Sequence, residues 1–432
     1  MRLTPSRRLY LIGAVLLVAL TICSQKFSSR GAPSFMGPLA VAAVAYLVAI
    51  REFFSTPRFP RHVIVIGLVL AALWHLLFLL KPPGADDDIH RYLWDGRVQR
   101  LGYNPYLVAP NDPMLAGLHT PETRTLNHPD LPSPYPAGAE LFFRAVTAIH
   151  ESVFALKLAF VLCDLAVVLL LLQVLHNSQQ GEHWVLAYAW HPLLAVEVAG
   201  SGHIDIVGTL LLVVSFVALG RRWRTAAALA FGLAVAVKLL PIVLLPLYWK
   251  RVRVRDAVLT VIVLGLLCVP FLHDGRMPTG SLATYVQSFW FNCPVFLMLE
   301  RVMSPQLVVG LAVLVGLVTA IGMGRRSRSM ERSSDAFAWP MAASLLCAPV
   351  IYPWYLLWML PFLRSVSTLP IVIWTVSIFP TYYVWHLRAL GRPWIVPDWI
   401  MLLEYGSVAI AAAILAWRRI TRSGVLQCSA VD

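Results

Sequence analysis

Charged residues are scarce in this sequence: Asp, Glu, Lys and Arg together make up 13% of its 432 residues. Hydrophobic residues make up 59%, and the mean hydropathy is +0.71. A soluble domain of this size needs a far more polar surface, so that class is excluded. Because the apolar runs are continuous and do not alternate with polar residues, an outer-membrane barrel is excluded as well. The composition predicts an all-α fold, a polytopic transmembrane helical protein.

Other common signals are also missing. The six cysteines have no metal-type spacing, and four of them lie in apolar runs, so neither a zinc site nor a disulfide framework is predicted. No spacing of His and Asp residues indicates a metal site, so we predict no metal site and no cofactor. The sequence leaves open whether a divalent metal assists the protein. The first apolar run, 9–23, lacks a following small-residue cleavage site, so we expect a retained helix rather than a signal peptide.

The net charge of +13 is located at the ends of the apolar runs. Twenty of the 35 Lys and Arg residues lie in six short segments that flank these runs. The positive-inside rule places all six in the cytoplasm, and a nucleic-acid partner is not predicted. The segments are 2–8, 51–61, 221–224, 250–255, 325–332 and 418–422.

The apolar runs predict about 12–14 spans within a single membrane domain, 1–432. A break at Lys238 and Pro241 predicts a hairpin or a broken helix there. The candidate spans are 9–23, 35–50, 62–80, 152–175, 184–199, 206–219, 225–237, 239–249, 256–272, 306–323, 336–349, 354–364, 368–386 and 399–417.

The longest predicted outer loop, 81–151, is rich in acidic residues and in helical pattern. Residues 81–139 contain seven of the chain's 22 acidic residues. In 88–101 the apolar residues fall broadly on one side of a helix, which predicts an interfacial helix that ends near Gly102. A second interfacial helix is predicted at about 137–150, after a proline-rich stretch.

Three consecutive carboxylates, Asp86, Asp87 and Asp88, follow a membrane span directly. Ionisable groups at the hydrocarbon boundary usually serve a function. One of them could act as a general base on an incoming hydroxyl, with Arg91 spaced to pair with Asp87 or Asp88. The other interpretation is a helix N-cap, for which one aspartate suffices, and the two roles are compatible.

Two further polar sites interrupt apolar sequence. Lys238 lies at apparent membrane depth and favours an anion such as a lipid phosphate; the alternatives are snorkelling or pairing with a buried carboxylate, with Asp164 as the expected partner. Gly200 and Gly202 precede His203 and Asp205, in a segment that could contact a phosphate or sugar, form an acid/base pair, or be an ordinary turn.

Residues 349–355 form an aromatic turn at the predicted outer interface. Tyr352, Trp354 and Tyr355 could stack against a sugar, although aromatic residues are also common in interfacial belts.

The motif DDIHRYLWDGR at 87–97, continued by GYNPYLVAP at 102–110, resembles a known family. It is similar to the bacterial polyprenyl-phosphate-sugar-dependent glycosyltransferases of the GT-C superfamily, in particular the mannosyltransferase-like branch. Three weaker segments agree in order: EVAGSGHID at 197–205, AVKLLP at 236–241 and YPWYLLWMLP at 352–361.

The resemblance implies a multi-span GT-C-like fold with a catalytic aspartate in the first large outer loop. It implies transfer of a hexose, with mannose as the expected sugar, from a polyprenyl-phosphate donor to a glycan or lipid acceptor, outside the cytoplasm and at the plasma (inner) membrane. Asp87 and Asp88 match the family's acidic pair as catalytic residues, in an inverting reaction with one general base. The donor and substrate contacts would be Arg91, His203, Asp205, Lys238, Tyr352, Trp354 and Tyr355.

Two alternatives remain open from the sequence. A transporter or flippase for lipid-linked sugars would also use intramembrane charges, but such proteins usually have internal repeats, and we find none. A non-catalytic relative that acts as a scaffold for envelope synthesis is less compatible with the intact acidic pair.

Overall fold

In the computed structural model, residues 3–84, 87–326 and 334–428 are described, and this part of the chain contains α-, 3-10 and π-helices but no β-strand. The α-helices are α1 (Pro5–Gln25), α2 (Pro33–Ser55), α3 (Arg61–Leu79), α4 (Ile89–Arg100), α5 (Ala137–Ile149), α6 (Val153–Asn177), α7 (Trp184–Ala189), α8 (Asp205–Gly220), α9 (Arg224–Val237), α10 (Val254–Cys268), α11 (Leu282–Ser288), α12 (Pro294–Leu299), α13 (Pro305–Arg326), α14 (Asp335–Leu346), α15 (Leu369–Ser377), α16 (Tyr383–Ala389) and α17 (Asp398–Cys428).

Within these described ranges, eight helical segments are long and apolar enough to cross a membrane, which confirms a polytopic all-α membrane protein. Their exposed faces carry large apolar side chains such as Val44, Val69 and Leu169, as expected of surfaces that contact lipid. The eight segments are Pro5–Gln25, Pro33–Ser55, Arg61–Leu79, Val153–Asn177, Val254–Phe271, Pro305–Arg326, Val366–Ala389 and Asp398–Arg418.

The other six predicted spans are shorter or are not continuous α-helices. The run 184–199 is the short helix α7 followed by a π-helix, Leu194–Ser201. The run 239–249 is a 3-10 helix, Leu240–Tyr248, and the run 354–364 is two short 3-10 helices. Hydropathy reports whether a segment tolerates lipid, but not which backbone hydrogen bonds the segment forms. Eight of the 14 predicted spans are therefore long apolar helices in the described ranges, and the number of membrane crossings stays a prediction.

The break predicted after α9 is confirmed. The helix ends at Val237, and Lys238 is extended, with φ −158° and ψ 142°. Pro241 then lies at the start of the 3-10 helix, where its missing N–H costs no helical hydrogen bond. The helices α8 and α9 pack against each other as a hairpin. Asp205, the first residue of α8, and Lys238, which follows α9, therefore lie at the same end.

The predicted helix 88–101 is α4, but it does not lie on a surface. Ten of its twelve residues are buried, because α4 packs between α5 and α6. The charged side chains of Arg91 and Asp95 are therefore enclosed by protein rather than by water. Gly102, with φ +88°, follows its end as predicted, and α5 matches the second predicted helix.

Candidate functional site

A cavity of about 640 Å³ is enclosed by the loop 88–136, the end of α9 and the segments 281–290 and 345–355. Its wall combines three kinds of side chain. The polar ones are Asp88, Arg91, Asn127, His128, Lys238, Ser281, Ser288 and Arg388. The aromatic ones include Tyr135, Tyr285, Tyr352, Trp354, Tyr355, Trp385 and Trp394, and the aliphatic ones include Leu239, Leu240, Leu282, Val286, Val309 and Leu345.

The two aspartates of the predicted catalytic pair face different surroundings. Asp87 is buried, forms an ion pair with the guanidinium of Arg30, and accepts a hydrogen bond from the backbone N–H of Gly84 at 2.6 Å. It does not line the cavity. The carboxylate is thus fully engaged by a cation and by backbone. Asp86, the third aspartate of the cluster, lies outside the described residues.

Asp88 lines the cavity, with its side chain 21% exposed. Its Oδ1 accepts a hydrogen bond of 2.9 Å from Nδ2 of Asn127, and its Oδ2 lies 3.8 Å from Nδ1 of His203. A carboxylate with one oxygen held and the other facing a ring nitrogen and the cavity can take up a proton from a bound hydroxyl.

The predicted pairing of Arg91 with Asp87 or Asp88 was wrong. Arg91 donates from Nε to both oxygens of Asp95, at 2.8 and 3.0 Å, and from NH1 to the carbonyl of Leu131. Asp95 is one turn away on α4, so the pair forms within one helix. Arg91 still lines the cavity, but its charge is balanced by a buried carboxylate.

Asp95 also contacts a second acid. Its carboxyl group hydrogen-bonds to that of Glu140 on α5, and Glu140 accepts further hydrogen bonds from Ser133 and Gln99. Burial and the charge of Asp95 raise the pKa of Glu140 well above its usual value. The two carboxyl groups therefore share a proton, and they tie α4 to α5 beneath the cavity.

His203 lies behind Asp88, and its position follows from an irregular backbone. The π-helix ends at Ser201, and Gly202 takes the left-handed conformation, φ +77°, in which an L side chain is strained. The imidazole then stacks on the ring of Trp354, with centroids 3.9 Å apart and an interplanar angle of 11°. Its Nε2 lies 3.0 Å from Oε2 of Glu197.

Glu197 is fully buried in the π-helix and also accepts a hydrogen bond from the hydroxyl of Tyr382. Burial favours a neutral imidazole, but the hydrogen bond and charge of Glu197, with two aspartates nearby, raise the pKa of His203 above its usual value. The imidazole of His203 thus lies between two carboxylates, those of Glu197 and Asp88.

Lys238 lines the cavity and pairs with Asp205. Its Nζ lies 2.7 and 2.9 Å from the two carboxylate oxygens, and 3.8 Å from the ring centroid of Tyr355. Asp205 is fully buried and also accepts a hydrogen bond of 2.7 Å from the indole N–H of Trp358. The pair joins the first residue of α8 to the residue that follows α9.

The expected pairing of Lys238 with Asp164 was therefore wrong. Asp164 accepts a hydrogen bond from the hydroxyl of Tyr188 and lies 3.1 Å from Nε2 of His75. All three groups are buried among α3, α6 and α7. Asp164 joins helices of the core and does not line the cavity.

The aromatic turn contributes to the cavity wall and to its rigidity. Tyr352 stacks on Trp354 with centroids 4.4 Å apart, which extends the stack that begins at His203. The hydroxyl of Tyr355 lies 2.8 Å from that of Tyr285. These rings are packed against one another, and all three predicted aromatic residues border the cavity.

Sequence reasoning assigned no role to Arg30, Glu197, Asn127 or Arg388. For Glu197 a signal existed, because it is an ionisable residue within the apolar run 184–199. Arg30 lies in a short loop between α1 and α2, and nothing local in the sequence connects it with Asp87.

The described residues contain neither a metal-binding cluster nor a disulfide. In ranges 3–84, 87–326 and 334–428, no group of three or more His, Cys, Asp and Glu side chains could hold a metal ion. The five cysteines whose side chains are described are free: Cys23, Cys163, Cys268, Cys293 and Cys347.

Comparison with known proteins identifies the family. The sequence model described as "Alpha-(1->6)-mannopyranosyltransferase, N-terminal domain" matches residues 14–252, more than half of the chain, and this range contains Asp88, His203 and Lys238. No curated protein and no solved structure matches the chain. With its multiple membrane helices, the chain therefore belongs to the alpha-(1->6)-mannopyranosyltransferase family and is a membrane mannosyltransferase.

Proposed function

We propose that this chain transfers mannose from a polyprenyl-phosphate donor to a glycan or lipid acceptor on the extracytoplasmic face of the plasma (inner) membrane. One observation carries the proposal: a carboxylate, Asp88, and a cation, Lys238, line the same cavity of about 640 Å³. The reaction needs a base for the acceptor hydroxyl and positive charge for the departing phosphate.

Asp88 is the proposed general base, and Asp87 is not. Asp87 is held by Arg30 and does not line the cavity, whereas Asp88 lines it and has Oδ1 held by Asn127. His203 is the proposed positioning residue. Its Nε2 lies 3.0 Å from Glu197 and its Nδ1 lies 3.8 Å from Asp88. Its raised pKa favours the charged imidazolium, which stabilises the Asp88 carboxylate electrostatically across this distance.

Lys238 is the proposed contact for the donor phosphate, and Asp205 holds it in place. An ammonium group has three donors, and Asp205 accepts through two oxygens, which leaves one donor for a phosphate oxygen. Arg388 lines the same cavity and adds positive potential, whereas the charge of Arg91 is balanced by Asp95. The cost of burying Lys238 is thus already compensated by Asp205 before the donor binds.

The proposed step is a single displacement. The acceptor oxygen attacks the anomeric carbon of mannose, its proton passes to Asp88, and the bond between the anomeric carbon and the phosphate oxygen breaks. Polyprenyl phosphate leaves with the electron pair of that bond. One base and one displacement invert the anomeric centre, so the alpha linkage named in the family description requires a donor with a beta-linked mannose.

The aliphatic side of the cavity suits the lipid part of the donor. Leu239, Leu240 and Leu345 line it, and Leu239 is 45% exposed on the outer surface of the protein. A polyprenol can leave the cavity past these side chains without burying a polar group. The aromatic rings of Trp385 and Trp394, with Arg388 stacked over Trp394, offer faces for a sugar.

The test is transfer by the purified protein. Labelled polyprenyl-phosphate-mannose, -glucose and -arabinose are each supplied with candidate glycan and lipid acceptors in detergent. We expect mannose transfer to one acceptor class, with an alpha linkage in the product and no transfer from a free sugar nucleotide.

Two results would contradict the proposal. Transfer from a sugar nucleotide but not from the lipid-linked donor would remove the donor assignment. In sealed vesicles, movement of the intact lipid-linked sugar across the bilayer, with no transfer to any acceptor, would favour the flippase alternative.

A further inference from the structure

The α8–α9 hairpin has a second set of polar residues at the end away from the cavity. Asp205 opens α8 and Lys238 follows α9, so the turn 221–223 lies at the opposite end. A helix of the 16 residues of α8 is about 24 Å long, at roughly 1.5 Å per residue. The two ends of the hairpin are thus separated by most of the thickness of a bilayer.

A cavity of about 400 Å³ lies at this far end, lined by Arg222, Arg224, Thr225 and Arg253. None of its three arginines forms an ion pair with a carboxylate in the described parts of the chain. All three arginines are exposed, so their like charges add to a positive potential at the cavity, which favours an anionic ligand.

The nearest carboxylate is already engaged. Asp256 is the only acidic residue in the sequence between 206 and 273. It accepts hydrogen bonds from the hydroxyl of Thr225 at 2.7 Å and from the backbone N–H of Arg253 at 3.2 Å, and it pairs with the exposed Arg255 at 3.4 Å. Asp256 thus holds two of the residues that line the cavity but does not line it, and its ion pair is with Arg255.

The backbone at the turn holds one of these arginines in an unusual conformation. Trp223 donates its N–H to the carbonyl of Ala218 at 2.8 Å, and Arg222 donates to Leu219 at 3.1 Å, which is a Schellman motif. In this motif the left-handed position is usually glycine, but here Arg222 takes it, with φ +60°. The strained position directs a guanidinium into the cavity, which a glycine could not supply.

Exposed aromatic residues place the cavity at a membrane interface. Trp223 is 56% exposed and Trp249 is 77% exposed, and both flank the basic turns. Tryptophans that stay exposed beside apolar helices are typical of the headgroup region of a bilayer. The positive-inside rule predicts that this is the cytoplasmic side.

We propose that the cavity of Arg222, Arg224 and Arg253 binds the phosphate of an anionic phospholipid headgroup in the leaflet opposite the catalytic cavity. The guanidinium group of an arginine can donate two parallel hydrogen bonds to phosphate oxygens. The headgroup of a phospholipid carries its phosphate at this depth in the membrane. The site is separate from the donor site and is independent of the sugar that the protein transfers.

The test is lipid retention by the whole protein, measured by native mass spectrometry after delipidation. Phosphatidylglycerol and phosphatidylcholine with identical acyl chains are added separately. We expect the wild-type protein to retain one phosphatidylglycerol with at least ten-fold higher affinity than phosphatidylcholine. Equal retention of the two lipids would overturn the proposal. Complete displacement of phosphatidylglycerol by millimolar inorganic phosphate would also overturn it, in favour of a site for free phosphate.

The variants locate the site. The triple variant R222Q/R224Q/R253Q is expected to lose the preference for phosphatidylglycerol. Arg255→Gln is the matched control, because Arg255 is equally basic and adjacent but pairs with Asp256 outside the cavity. An unchanged preference in the triple variant would refute the assignment. If the triple variant does not fold, Arg222→Gln alone is measured, with an expected loss of several-fold in affinity.

Discussion

The ammonium group of Lys238 and the carboxylate of Asp205 form a two-oxygen ion pair, at 2.7 and 2.9 Å, between the two helices of one hairpin. Asp205 is fully buried, whereas the Lys238 side chain is 21% exposed, toward the cavity. The same contact therefore closes the hairpin and presents a cation to a ligand. A structural role and a ligand role for Lys238 can be separated by replacing the two residues together.

Lys238→Met leaves Asp205 buried without its cation, so we expect a loss of stability of about 3 to 5 kcal/mol. The double variant Lys238→Met/Asp205→Asn removes both charges, and we expect most of that stability to return. The KM for the lipid-linked donor should stay raised by ten-fold or more in the double variant. Thermal unfolding and donor titration measure the two effects. A normal donor KM in the stable double variant would show that Lys238 does not contact the phosphate.

Asp88→Asn should remove catalysis without unfolding the protein. An amide cannot accept the acceptor's proton, and a positioned base contributes about 100-fold or more to the rate. The amide can still accept the hydrogen bond from Asn127, so little change in stability is expected. Initial rates of mannose transfer and the unfolding temperature check both expectations. Asp130→Asn, an exposed aspartate of the same loop, is the matched control and should retain full activity.

Asp87→Asn should destabilise the protein but leave mannose transfer largely intact, which is the opposite of the result expected for Asp88→Asn. Removal of its charge leaves Arg30 buried without an ion partner, and we expect a loss of about 3 kcal/mol or more in stability. The protein that remains folded should transfer mannose at a rate within a few-fold of wild type. If Asp87→Asn abolished transfer in stable protein while Asp88→Asn did not, the assignment of the base would be reversed.

Glu197→Gln should shift the pH dependence of transfer. The pKa of His203 is raised in the folded protein, so the stabilisation from its charge is complete below the unfolded value of about 6.5 and is lost as pH rises through the folded value. Loss of the Glu197 charge lowers the pKa of His203. We therefore expect the alkaline fall of kcat/KM to begin at lower pH in the variant.

The conservative variant Glu197→Asp is the control for this shift, because it keeps the charge and should restore the alkaline limb in part. A purely structural Glu197 would lower the rate equally at every pH. The positioning role would then be refuted, since the pH at which activity falls would not move.

The sequence predicted where the helical elements lie, but not which of them are unbroken α-helices. All 14 apolar runs are helical in some form, α5 follows the proline-rich stretch as predicted, and α4 ends just before Gly102 as predicted. The π-helix before Gly202 and the 3-10 helix after Lys238 were not foreseen. Apolar composition is compatible with every helical hydrogen-bond pattern, so only the prolines gave a local signal.

The predicted site residues were brought together, but their partners were not predictable. Asp88, Lys238, Tyr352, Trp354 and Tyr355 line one cavity, and His203 and Asp205 lie directly behind it. The pairing of buried charges depends on which helix ends meet. Sequence spacing predicted Asp87 or Asp88 as the partner of Arg91, but Asp87 pairs with the distant Arg30, and Arg91 pairs with Asp95.

Gly208→Ala should disturb the donor site from a distance of one helical turn. A Cβ at this position would lie 2.0 Å from Cη2 of Trp358, whose indole N–H holds Asp205. Overpacking of this kind costs about 1 to 3 kcal/mol, and the displaced ring should raise the donor KM. The control is Gly265→Ala on α10, where a Cβ would contact nothing within 4 Å. Equal unfolding temperatures and equal KM values for the two variants would contradict the prediction.

Glu140→Gln should flatten the pH dependence of stability. Burial and Asp95 raise the pKa of Glu140 well above 4.5, so its contribution to stability is complete below about pH 4.5 and declines as pH rises toward the folded value. The slope should reach about 1.4 kcal/mol for each pH unit in that window. Glutamine carries no titrating proton, and it can still accept from Ser133 and donate to Asp95. Unfolding in detergent between pH 5 and 8 measures the slope of the free energy of unfolding against pH.

The control is Glu122→Gln, which replaces an exposed acid whose pKa is lowered and should leave the slope in place. A steep slope in Glu140→Gln would show that another group carries the shared proton.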